Sequence, residues 1–425
     1  MSMAKTKHPS TWAKVRKFFN DIHLWTGLIS GLVIIAVCLS GTIYVYNSEI
    51  REWSNRELHS VNDPGTSRKA ADELYNIIKD ADLGTVTSIS IPTDLNRSVQ
   101  VNVRAEGDKS RFGTSYYLNP YSGEILGNSK EATRTDEFMG YMFSLHRWLL
   151  LDRIEEPLIG ELPNRQLGSY ISGTATILFT IGVLTGLVIW FPQKLKTWRQ
   201  GLKVKWNANW KRLNYDLHNT FAFYSLIFLL IMGATGPFWS FPWYRDGWQK
   251  LWGTYQEAPA NPGPRGGGPG PRGGGPGSMA AGEAPADVPL LPLDTYIAAA
   301  ETVLPYKGDY RIGIPNQPNG KVTINKNRTG FFAPSAGDRV DLDIATAAVQ
   351  ELDIFREKPV NERISRSIKA LHVGDVYGQF TKLLYFFACL IATSLPITGT
   401  LIWINKMKKK DKNKKGTKKR NKVAV

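Results

Sequence analysis

The chain has 425 residues and a formal net charge of +16, and its apolar residues are gathered into four blocks at 24–46, 169–191, 219–241 and 379–403. Each block is long enough to cross a hydrocarbon core, which takes about 20 helical residues, so the composition argues against a soluble globular chain. The basic excess does not call for nucleic acid: residues 1–20, 193–213 and 404–425 hold five, seven and eleven Lys/Arg against one Asp, the pattern of cytoplasmic segments beside membrane spans.

Residues 1–20 read as a cytoplasmic lead-in, with Trp12, Phe18 and Phe19 set among Lys14, Arg16 and Lys17. The first span, 21–47, opens with His23 and is expected to be retained, because no small-x-small cleavage site precedes Glu49. Residues 48–166 form a first outer region. SRKAADELYNIIKDA predicts an amphipathic helix, TVTSISI and VQVNVRA alternate as strands, and TSYYLNPYSGEILG predicts a strand, a turn at Asn119–Gly123 and a second strand. FSLHRWLLLD then presents His146 and Arg147 ahead of the second span, 167–192.

After the basic loop 193–213 the third span, 214–241, carries His218. The aromatic run FWSFPWYRDGWQKLWGTY at 238–255 joins the end of the third span to the second outer region, 242–372, and suits a membrane-interface belt or a platform for a planar ligand. Residues 257–287 are too rich in Gly and Pro to bury a core, which predicts a disordered insertion, and their glycines lack the strand and helix of a dinucleotide site. The earlier order then returns: helix LPLDTYIAAAETVL, strands YRIGI and GKVTINKN, and DRVDLDIATAAVQEL with Asp343 where Asn119 stood and Ala347 where a turn glycine is expected. KALHVGDVYG presents His372 before the fourth span, 373–404, and residues 405–425 form a Lys-rich cytoplasmic tail suited to anionic lipid. Cys38 and Cys389 both fall inside spans, where neither a disulfide nor a zinc site is expected.

Two copies of one plan are visible. Asp21, His23 and Gly41 recur as Asp216, His218 and Gly236 at a constant offset of 195, and His146 recurs as His372 at 226, the insertion accounting for most of the difference. The expected fold is a membrane α-helical protein of four transmembrane helices from an internal duplication, with two small α+β extracytoplasmic domains. Spans one and three then run outward and spans two and four inward. His23 and His218 fall in a cytoplasmic layer, and His146 and His372 in an outer one. Two facing imidazoles can fill both axial positions of a haem iron, which favours electron transfer over oxygen activation. Gly27, Gly31, Gly41, Gly182 and Gly186 would let a flat macrocycle, or simply a neighbouring helix, come close to the backbone. Arg147 suits a haem propionate or an interface anchor, while His8 and His59 have no repeat partner and are expected at the solvated surface.

With YYLNPYSGEILG in the outer helix-and-strand pattern, and DIHLWTGL, FSLHRWLL, DLHNTFAF and ALHVGDVYG on the spans, the chain from about residue 15 to 405 resembles the PepSY-associated transmembrane family. That resemblance implies PepSY-like outer domains, two bis-histidine haems b, and reduction of a ferric siderophore outside the bacterial inner membrane. No flavin or nicotinamide motif is evident, so quinol or a cytoplasmic reductase would supply the electrons. The competing readings are a PepSY sensor or regulatory protein whose spans only anchor it, and a siderophore or haem transporter. Four spans are few for a transporter, and Pro237 and Pro396 are not equivalent in the repeat.

Overall fold

The computed structural model describes residues 11–61, 65, 67–108, 113–131, 133–192, 195–257, 290–315 and 320–423. In chain order the helices and strands are α1 (Thr11–Tyr44), α2 (Asn47–Ser54), α3 (Arg56–His59), α4 (Ala71–Asp80), β1 (Thr85–Ile91), β2 (Val99–Arg104), β3 (Thr114–Leu118) and β4 (Ile125–Asn128). There follow α5 (Arg134–Trp148), α6 (Asn164–Trp190), α7 (Trp210–Thr235), α8 (Pro242–Leu251) and α9 (Leu293–Val303). The chain closes with β5 (Gly308–Gly313), β6 (Lys321–Arg328), β7 (Asp338–Asp343), β8 (Val349–Asp353), α10 (Val360–Arg366), α11 (Ile368–Val373) and α12 (Gly378–Val423). Two compact units result: Met1–Val45 with Tyr141–Arg245 and Leu383–Val425, and Tyr46–Gly140 with Asp246–Lys382.

The first unit is helical. Four of its helical stretches, Thr11–Tyr44, Asn164–Trp190, Trp210–Trp239 and Gly378–Lys409, are long and apolar enough to cross a membrane. Small residues let them meet closely: Gly182 of α6 faces Thr26 of α1, Gly233 of α7 faces Thr180 of α6, and Gly31 of α1 faces Pro396 of α12. The unit also takes the end of α5. Gly168 of α6 packs under the Trp148 carbonyl, and the Ser172 hydroxyl donates to the Arg147 carbonyl at 2.9 Å. Leu149 and Leu150, at φ of 55° and 64°, then turn the chain away from α5.

The second unit is one eight-stranded antiparallel sheet in the order β4-β3-β2-β1-β5-β6-β7-β8. Its two four-stranded halves join where β1 pairs with β5, Ser88 to Ile91 opposite Gly313 to Tyr310. One face is apolar because alternate residues of each strand point to it, among them Ile89, Val99, Val101, Leu118, Ile312, Val322, Ile324, Val340 and Leu342. Helix α4 covers one half with Ala71, Leu74 and Ile78, and α9 covers the other with Leu293, Tyr296 and Ala300, each set spaced to share a helix face. Each buried Leu, Ile or Val side chain here contributes about 1.5–3 kcal/mol by leaving water.

The β3–β4 and β7–β8 turns have the same build. The Asn119 side chain accepts from Tyr121 N at 2.9 Å, and Asp343 accepts from Ala345 N at 3.0 Å. Gly123 N and Ala347 N each donate back to the first residue's carbonyl at 2.9 Å, and both residues have positive φ, 82° and 55°.

Several expectations change in detail. The N-terminal lead-in from Thr11 is already part of α1, and the fourth span starts at Gly378 rather than 373 and continues as helix to Val423. The boundary between the units falls inside 48–166, because α5 from Tyr141 onward packs with the spans. His59 is not simply solvated: its ring lies 4.7 Å from that of Tyr117, and burial lowers its pKa. His8 and the insertion beyond Glu257 lie outside the described residues.

Candidate cofactor site between two histidines

His23 sits on α1 and His218 on α7, and their ring centres are 6.2 Å apart with the planes at 80°. His23 Nδ1 lies 2.8 Å from the Gly182 carbonyl oxygen. A carbonyl can only accept, so Nδ1 carries the proton and Nε2 keeps its lone pair. His218 Nδ1 lies 2.9 Å from Thr398 Oγ1, whose own hydrogen is directed to the Ser394 and Leu395 carbonyls, so the same tautomer follows. Among the described residues neither Nε2 has a hydrogen-bond partner. The rings are also fixed sterically. A Cβ on Gly186 would stand 3.1 Å from His23 Cε1, and one on Gly399 3.3 Å from His218 Cε1, so glycine at both positions gives each ring its place.

Both histidines line a cavity of about 330 Å³ within the helical unit, at the lower end of the usual range for small-molecule and cofactor sites. Its walls include Gly27, Leu28, Phe179, Trp190, Phe223 and Trp403, while Arg16, Asn20, Tyr215, Asn219 and Lys406 supply polar groups. Gly27 has nothing within 4 Å of where a Cβ would stand, so the backbone is open to the cavity there. The other glycines singled out in the sequence serve contacts between elements: Gly31 with Pro396, Gly41 with His146, Gly182 with Thr26 and Gly186 with His23.

Two neutral imidazoles on opposite sides of one metal, each bound through Nε2 at about 2 Å, have ring centres about 6 Å apart. The observed separation suits that arrangement. Among the described residues no three His, Cys, Asp or Glu side chains gather as a metal site, and the candidate donors facing each other here are two imidazole nitrogens. Such a set fits a metal that brings its remaining donors in a macrocycle.

His146 repeats the device on α5. Its Nδ1 lies 2.8 Å from the Val37 carbonyl of α1, and a Cβ on Gly41 would stand 3.0 Å from its Cε1. His372 is half-buried in α11 of the sheet unit, just before Gly374 ends that helix at φ 77°. The structure thus brings His23 and His218 together, while His146 and His372 belong to different units. Arg147 lies over the rings of Trp148 and Phe143, at 5.4 and 5.9 Å, and burial with neighbouring Arg165 lowers its pKa. Cys38 and Cys389 are both free. Of the aromatic run, Phe238 is buried, Trp243 is exposed, and Trp248 and Trp252 stack edge to face at 5.8 Å. Thr398 and Gly399, which hold His218, were not singled out in sequence; the signal was present in ITGTLIWINK, which ends the fourth span as LTGLVIWFPQK ends the second.

Four helices long and apolar enough to cross a membrane enclose a cavity with facing histidines, the arrangement of a membrane protein with ionisable groups among its spans, and such groups usually mark function. The family described as the PepSY-associated TM region matches residues 21–406, and the chain belongs to it. A search among curated proteins gives no match.

Proposed function

We propose that this chain is a di-haem reductase of the bacterial inner membrane, passing electrons outward to a ferric siderophore and releasing its iron as Fe(II). The observation that carries the reading is the His23–His218 pair, with both Nδ1–H groups engaged and both Nε2 lone pairs unshared beside one cavity. A haem b held there would supply one-electron chemistry with no open position for oxygen. The Gly182 carbonyl and Thr398 hydroxyl would hold the two rings in their tautomer and raise their basicity. Gly27 would admit the macrocycle against α1, and Arg16 and Lys406 would receive propionates.

His146, fixed in the same way by Val37 and Gly41, would be a ligand of a second haem, and Arg147 lies beside it in sequence. The repeat of Asp-x-His on α1 and α7, the matching strand orders and the matching turns support an internal duplication with two PepSY-like halves. The basic segments favour cytoplasmic termini and an outer sheet unit. Ferric siderophores bind hard Fe(III) through charged oxygens, so one electron weakens the cage. Quinol or a cytoplasmic reductase would be the donor.

The test is an absorbance spectrum of the detergent-purified protein, oxidised and then dithionite-reduced, with haem counted per chain. Sharp reduced bands at about two haems per chain, with one lost in His218→Ala and the other in His146→Ala, are expected. A colourless protein after expression with excess haem would sink the reading and favour an anchored PepSY sensor.

A further inference from the structure

The sheet has a second face, opposite α4 and α9, and it is polar from edge to edge. Residues paired across strands share a face, so the registers place Tyr117, Gln100, Ser90, Arg311, Asn325, Arg339 and Asp353 in one row. The next row holds Ser115, Asn102, Ser88, Gly313, Thr323 and Asp341. At one side of this floor His59 of α3 rests on Tyr117. At the other, Lys358 and Arg366 reach Asp353 at 3.4 and 3.0 Å, beside a polar cavity of about 430 Å³ that includes Thr254 and Gln249. The floor is therefore walled on both sides within one unit.

Among the described residues most of its charges are held by partners: the Asp309 carboxylate accepts from Thr93 N and Oγ1 at 2.7 and 2.5 Å. Arg339 holds Asp341 through Nε and Nη2 at 2.8 and 2.7 Å, and Lys321 reaches the same carboxylate at 3.0 Å. Arg311, at the β1–β5 seam, has no carboxylate partner among the described residues. Its Nη2 makes one long contact to Ser88 Oγ at 3.4 Å, and its buried Nε has no partner. The groups around it are already ordered: Asn102 Nδ2 donates to Ser88 Oγ at 2.8 Å, and Ser115 donates to Asn102 Oδ1 at 2.5 Å. A half-buried guanidinium with unused donors, set among hydroxyls and amides, lacks an anion.

We propose that Arg311 is the receptor of an oxyanion-binding site on the polar face of the sheet, and that its ligands carry a planar two-oxygen anion, a carboxylate or hydroxamate. The guanidinium fork matches such a group through two parallel hydrogen bonds, which neither a lone ammonium nor a neutral amide can supply. The site stands whether or not the helical unit carries haem.

The test titrates citrate and acetohydroxamate into the detergent-purified full chain by isothermal calorimetry, with no reductant present. Saturable binding of at least one probe is expected, weakened about tenfold or more by Arg311→Gln and unchanged by Arg356→Gln, which removes an exposed charge. Ser90→Asp, opposite Arg311 in the register, gives the guanidinium an internal carboxylate; it should abolish binding without lowering the unfolding temperature. That variant covers the case in which Arg311→Gln fails to fold. No saturable binding of either probe, equal loss in Arg311→Gln and Arg356→Gln, or undiminished binding in Ser90→Asp would each overturn the proposal.

Discussion

Asp72 and Asp294 cap each other's helices. The Asp72 carboxylate accepts from Leu293 N at 2.6 Å and Asp294 N at 3.4 Å at the start of α9, and the Asp294 carboxylate accepts from Ala71 N at 3.4 Å at the start of α4. Two negative groups are thereby brought together, and burial followed by the charge of Asp72 raises the pKa of Asp294. A carboxyl whose pKa is raised by folding stabilises the fold below its ordinary range and loses that contribution as pH rises through the raised value. Asp294→Asn, which keeps an acceptor, should therefore raise the unfolding temperature at pH 7, with the gain over wild type vanishing below about pH 4. Asp72→Ala removes the shorter cap and should cost about 1 kcal/mol at pH 7.

Ala347 and Gly123 hold equivalent turn positions with unequal freedom. The left-handed backbone costs a non-glycine residue about 1–2 kcal/mol, while losing the largely buried Ala347 methyl costs about 0.8 kcal/mol. Ala347→Gly is expected to stabilise the sheet unit by about 0.5 kcal/mol. Gly123→Ala should destabilise by more than 1 kcal/mol, since its new Cβ would stand 2.5 Å from Ile77 Cδ1. Denaturant midpoints of the two variants check both signs.

Lys326 is fully buried on the apolar side of the sheet, with Nζ 2.7 Å from the Leu304 carbonyl and 2.9 Å from Glu301, near the rings of Tyr306 and Tyr310. Glu301 is half exposed and stays hydrated without its partner. Lys326→Met should therefore cost only about 1 kcal/mol, the share of the orphaned carbonyl, whereas Lys326→Ala adds a cavity and should cost about 2–4 kcal/mol. Equal losses in thermal melts would mean that the charge, not the volume, matters.

Two substitutions separate space from chemistry at the histidine pair. Gly27→Leu adds bulk where the cavity is open and nothing else is touched, so under the proposed di-haem function the fold should persist while one haem is lost. Thr398→Val keeps the shape but removes the acceptor for His218 Nδ1–H, which should weaken retention of that haem about 10–100-fold and shift its reduction potential. Haem content after competition with apomyoglobin measures the first effect and redox titration the second.

Much of this was legible in the sequence because it rests on local pattern. The strands TVTSISI and VQVNVRA alternate with period two, and the helices over 71–80 and 293–303 place their apolar residues on one face, so each element falls where periodicity puts it. The meeting of His23 and His218 followed from topology, since both stand near the start of parallel spans. What stayed hidden depends on distant partners. Nothing local marks β1 and β5 as neighbours, because either could have been an edge. The packing of His146 against α1 depends on the turn at Leu149–Leu150, where two leucines adopt a backbone that their residue type does not advertise. Arg311 reads locally as one more charged residue on a strand, and only the register reveals that it has no acid opposite.

The β1–β5 seam also sets a timetable for assembly. More than two hundred residues and two membrane spans separate the strands, so the ladder closes only after α6 and α7 have been threaded and the second half delivered to the same side. Until then the first half waits with the edge of β1 unpaired, a state open to pairing with other chains. Mutations that slow insertion of α7 should thus appear first as clumping of the amino-terminal half, well before any defect in the finished protein.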